Sequence, residues 1–183
     1  MARTVEYLDF TPDALDAVLE QMRAIGRDRN GWVNVAPLRA GEGEEEELTE
    51  LTGSSPVAPV GLFARWRLVL IEGTWVPGRV GRNGAEDASV GLSHPAGRFA
   101  VLQLRDAGVP VPDGWRVVVD HARRGLVLAV PDRPGVAGSA AADTRTGDAA
   151  APVSQILPWL LAAGAALGPT QMTGRWRAEI HRR

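Results

Sequence analysis

The chain reads as α+β: a mostly antiparallel sheet built from two hairpins plus an edge strand, with about three helices packed on it. Three observations predict this. Residues 115–121 and 126–130 are β-branched and aliphatic runs, joined by a polar turn that ends in Gly125. Residues 15–25 repeat apolar side chains at three- and four-residue spacing, and 156–168 are apolar on all sides. Residues 173–181 alternate cleanly, with Trp176, Ala178 and Ile180 turned one way and Arg175, Arg177, Glu179 and His181 the other.

Taken in order, residues 5–10 suit a short first strand. Thr11-Pro12-Asp13 then opens a helix, with a hydroxyl cap, a proline at the first helical position and an acid in the first turn. Leu15, Val18, Leu19, Met22 and Ile25 form its buried stripe, and Gly26 is read as its stop. Residues 31–38 alternate as a strand up to Pro37. Residues 39–57 contain six glutamates between Glu42 and Glu50, whose mutual repulsion predicts a mobile acidic loop. Residues 63–77 read as a second hairpin with Glu72-Gly73 as its turn, and 78–87 as a flexible loop. Residues 89–93 make a further short strand. Residues 96–107 suit a helix stopped by Gly108, with a strand over 99–104 as the rival.

Val111-Pro112-Asp113-Gly114 is a turn by mechanism, leading into the valine-rich hairpin, which is read as central because its strands are apolar on both faces. Residues 132–151 are nearly all Ala, Gly, Pro, Asp, Thr and Ser and read as a disordered linker. The domain plan is therefore a body over 1–131, the linker, and a unit over 152–183 that docks on the same body or on a neighbour. The apolar helix starts near Pro158. Its thirteen residues reach about 20 Å, short of the ~30 Å hydrocarbon core, so it is a buried helix rather than a membrane span. The charged outer side of 173–181 is the signature of an edge strand.

Composition excludes several function classes. A chain of 183 residues suits one domain and can bury roughly 70% of its unfolded surface. There is no cysteine, hence no disulfide, thiol nucleophile or thiolate metal site, and this fits a reducing cytoplasm. The start lacks the long apolar core of a signal peptide. Every basic side chain other than histidine is arginine, which fits the codon usage of a GC-rich bacterial genome. Net charge is −2 and pI about 5.9, unlike a dedicated nucleic-acid binder.

The candidate chemistry is sparse. Gly91-Leu92-Ser93-His94-Pro95 resembles a nucleophile elbow but has Pro95 where a glycine is required. His121 and Asp120 are strand neighbours and point to opposite faces. Ser93, His94 and His121 are the catalytic candidates of a hydrolase-like alternative, with a site near residues 78–95 and 121. Arg79 and Arg82, in a glycine-rich stretch that no helix directly follows, and Arg175 and Arg177 are the candidate anion or ligand contacts. His181 is expected in solvent. Three scattered histidines predict no metal site, and no cofactor is implied. The leading expectation is a non-catalytic protein-interaction or scaffold domain that meets a partner, or itself, through strand 173–181 or helix 156–168. A small-ligand module is the alternative, and a weak nucleic-acid binder is third.

Overall fold

The computed structural model describes residues 4–38, 72–81, 84–93, 99–122, 125–131, 153–168 and 174–183. Nine strands and three helices follow one another along these residues. They are β1 (Thr4–Phe10), α1 (Asp16–Asp28), β2 (Gly31–Pro37), β3 (Glu72–Val76), β4 (Arg79–Gly81), β5 (Gly84–Glu86), β6 (Ala88–Ser93), α2 (Ala100–Asp106), β7 (Arg116–His121), β8 (Gly125–Val130), α3 (Val153–Leu167) and β9 (Trp176–Arg182). Seven strands form one antiparallel sheet in the order β1-β9-β2-β3-β6-β8-β7, and β4 and β5 pair with each other. The class is α+β. The sheet is larger than two hairpins and an edge strand.

All three helices lie on one face. α1 packs on β1, β2 and β9, α3 on β2, β3 and β6, and α2 on β7 and β8 beside α3. Period-two alternation explains the core. Val33 and Val35, Trp75, Val90 and Leu92, Leu126 and Leu128, and Trp176 and Ile180 all turn toward the helices and are buried. α3 is buried along most of its circumference, with Ile156, Leu157, Leu160 and Leu161 inside, as its all-round apolarity requires. Gly73 explains how it comes so close: a Cβ there would meet Val35 Cγ2 at 2.9 Å and Leu160 Cδ2 at 3.0 Å. The glycine makes room for a helix on the sheet.

Several expectations are corrected. Glu72-Gly73 is no turn, because both residues lie in β3, which has β2 on one side and β6 on the other. Residues 78–87 are not a plain loop, since Arg79–Gly81 pairs with Gly84–Glu86. α1 begins at Asp16, later than its sequence signals. Thr11 to Ala14 form a separate turn, in which the Ala14 N–H donates to the Thr11 carbonyl at 2.9 Å. It also passes through Gly26 and ends at Arg29, whose φ is +51°. α2 is shorter than 96–107, and the rival strand over 99–104 does not form. α3 starts at Val153, so Pro158 sits inside it with its ring on the exposed side. The acidic loop, residues 63–71 and all of 132–151 lie outside the described residues.

Two corrections change the architecture. The valine-rich hairpin is not central, because β7 is the last strand of the sheet. The strand over 173–181 is not an edge, because β9 pairs with β1 over Thr4–Phe10 and with β2 over Gly31–Pro37. Its backbone has no open side for a partner strand. His181 is buried rather than solvated: its ring stacks on Trp32, with centroids 4.5 Å apart and planes within 10°. Among the described residues no helix is long and apolar enough to cross a membrane.

Candidate functional site

Of the catalytic candidates, Ser93 and His121 are described, and they do not face each other. His94 and Arg82 lie outside the described residues. Ser93 Oγ is 3.2 Å from the Glu72 backbone nitrogen, which donates to it, and 3.3 Å from the Glu72 carbonyl, to which it donates. That turns the hydroxyl toward β3, whereas His121 lies two strands away in the opposite direction, beyond β8. Asp120 does not orient His121. Its carboxylate accepts the backbone N–H of Ala100 at 2.8 Å and of Val101 at 3.3 Å, capping α2 from a neighbouring strand. The residue at the helix N-cap, Phe99, has no side chain able to do this. Arg79 is exposed at the start of β4, opposite Glu86 in the ladder.

Arg175 and Arg177 do come together, on Asp9 of β1. Arg177 makes two parallel bonds to the Asp9 carboxylate, at 2.7 and 3.0 Å, and Arg175 stands 4.0 Å from it. The Arg177 bond holds the Asp9 carboxyl below its ordinary range; partial burial works against this, and the charges of Arg177 and Arg175 add to it. Both arginines thus meet a carboxylate of their own chain.

The face of the sheet away from the helices carries a cleft of about 400 Å³ lined by Asn34, Ala36, Pro37, Leu38, Glu72, Arg177 and Glu179. Asn34, Arg177 and Glu179 already have partners nearby. Thr74 Oγ1 donates to Asn34 Oδ1 at 3.1 Å, Arg177 holds Asp9, and Glu179 Oε2 lies 3.4 Å from His181 Nε2. Among the described residues no group of three or more His, Cys, Asp or Glu is placed to hold a metal ion.

The unusual surface is elsewhere, at the β7 margin. Among the described residues the exposed large apolar side chains are Val5 and Tyr7 on β1, and Phe99, Leu102, Val117, Val118 and Val119 at the opposite margin. The second group is the denser one. Phe99 and Leu102 are 55% and 51% exposed, one helical turn apart on α2. Val117, Val118 and Val119 are 43%, 51% and 38% exposed on β7, the strand whose Asp120 holds α2. The β7–β8 ladder shifts register between Val117 and Val119, leaving Val118 with no residue opposite.

The run of valines is visible in the sequence, where apolar residues on both faces predict a strand covered on both sides. The sign that it is an edge is the charge around it. Arg116, Asp120 and His121 bracket the valines, whereas Leu126 to Val130 contains no polar residue. The contrast within the pair goes with position: β8, apolar throughout, lies between β6 and β7, and the charge-bracketed β7 lies outside it. Comparison with known protein families, with curated proteins and with solved structures finds no match to this chain.

Proposed function

We propose that this chain is a non-catalytic protein-interaction domain whose contact surface is the β7–α2 margin of the sheet, rather than strand 173–181 or helix 156–168. The observation that supports it is the exposure of Val117, Val118 and Val119 on an end strand beside Phe99 and Leu102. Together these five side chains, about half exposed, leave apolar surface on the order of 400 Å² along the edge and both sides of β7, within the range of the largest, often functional, patch on a monomer. An end strand rich in valine invites indiscriminate pairing; Arg116, Asp120, His121 and the irregularity at Val118 blunt this edge only in part, since three successive valines stay exposed on it. Its retention here is explained by use. The alternative sites offer less: β9 is flanked on both sides, and α3 already spends its apolar surface on the core.

A photoreactive residue placed at position 118 tests this, with the exposed Glu20 on α1 as the control position. In the cell that makes the protein, position 118 gives a discrete cross-linked adduct and position 20 does not. Equal behaviour of the two positions removes the proposal.

A further inference from the structure

We infer that β7 accepts an extended segment of another protein as an eighth strand, with apolar side chains on the helix side and acidic ones on the open side. This rests on the interaction reading above and specifies how the contact is made. Three features of β7 converge on it.

The first is the backbone. Every interior strand of the sheet has a ladder on each side, whereas among the described residues β7 is bonded only to β8. Its outer N–H and C=O groups face away from the sheet, where an added strand can bond to them in register. The second is the side chains. Val117 and Asp120 stand opposite the core residues Leu128 and Leu126, hence on the helix side, while Arg116, Val119 and His121 stand opposite Ala129, Val127 and Gly125 on the open side. Apolar residues of an incoming strand on the helix side would lie along Val117, below Phe99 and Leu102 of α2.

The third is charge. Asp120 is committed to the first turn of α2. Arg116 is 69% exposed and, among the described residues, has the Asp87 carboxylate as its ion-pair partner at 3.8 Å, itself 48% exposed. A contact that long between exposed groups is weak. The charge left for a partner at this margin is therefore positive, and it lies on the open side. An acid on the incoming strand satisfies it.

A second copy of the chain fits worse. Antiparallel self-pairing centred between Val118 and Val119 sets one register irregularity against another, puts Arg116 opposite His121, and puts Val117 opposite the committed Asp120. The apolar patch is also about half of the ~800 Å² per partner of a standard stable interface. A short extended segment needs less area, because ladder hydrogen bonds supply part of its binding. β1, the other end strand, is guarded by Glu6 and Asp9 within its run.

The test uses the unaltered chain and a fluorescent short peptide of alternating valine and glutamate, with binding read by anisotropy. Two further peptides carry N-methyl groups, one on the valine amides and one on the glutamate amides. Residues alternate in which edge they present, so one methylated peptide loses binding by about tenfold or more, and the other keeps it. A peptide with lysine in place of glutamate binds about threefold more weakly, and Arg116→Glu reverses that preference. If both methylated peptides bind like the parent, or the parent does not bind, strand addition is overturned. The cross-linking result at position 118 then decides separately whether the margin is a contact surface at all.

Discussion

β9 and β7 are strands of similar length and similar apolar content, and they do opposite things. β9 lies between β1 and β2, buries Trp176, Ala178 and Ile180 on the helix side, and carries Arg177, Glu179 and His181 on the open face, where Arg177 holds Asp9. β7 has one neighbour, leaves three valines exposed in a row, and spends its one carboxylate on the end of α2. The apolar area of β9 is consumed by folding. A little under half of that of β7 is still available. The difference separates a strand whose apolar surface is committed to the core from one that keeps part of it at the surface.

The comparison is tested most severely by trimming each strand. Trp176→Ala removes a buried indole and should cost about 3–5 kcal/mol in urea denaturation. Val118→Ser on β7 should stay within about 0.5 kcal/mol, because half of that side chain is in water and nothing stands opposite it. A loss at Val118 comparable to the loss at Trp176 would show that the valines belong to the core, and the interaction reading would go with it.

The next effect is smaller and joins β7 to α2. Asp120→Ala leaves the first N–H groups of α2 without their acceptor and should cost about 1 kcal/mol. Amide hydrogen exchange at Ala100 and Val101 should quicken ahead of exchange in β9. If those two amides keep their protection, α2 is held by packing alone, and Phe99 and Leu102 are not positioned through β7.

Much of this was legible in the residues. The strands around β2, β6, β7, β8 and β9, the apolar stripe of α1 and the buried character of α3 all follow from periodicity. What periodicity cannot report is the order of strands in the sheet. A sheet covered on one face gives every interior strand the alternation that Arg175 to His181 shows, so alternation and outward charge do not by themselves mark an edge. Gly73 illustrates a second limit. Its sequence setting, Glu-Gly between apolar runs, fits a turn, yet its role is to admit Leu160 of a helix far along the chain. Asp120 illustrates a third. Its partners at Ala100 and Val101 are twenty and nineteen residues earlier, and no local pattern announces that contact. The candidate surface depended on strand order above all, and so it emerged only with the fold.

The smallest effect concerns the other margin, where β1 is tied to β9 through Asp9 and Arg177. Because the Arg177 bond depresses the Asp9 carboxyl in the folded chain, folding favours its ionised form. The stability it contributes is complete above the unfolded value near 3.9, and it disappears as pH falls through the lower folded value. The carboxylate and the guanidinium are 34% and 42% exposed, so water screens the pair and the contribution stays below about 1 kcal/mol. Asp9→Asn mimics the protonated carboxyl. Its denaturation midpoint should lie slightly under that of the parent at pH 7, and the two should merge as the pH is lowered past 4 toward 3. A gap that persisted at low pH would mean that the Asp9 charge contributes nothing, and that β1 is held to β9 by its backbone ladder and by Phe10 alone. Both ends of the sheet would then be strands attached by backbone and packing, and the claim that β1 is closed by charge while β7 is left open would lose its physical basis.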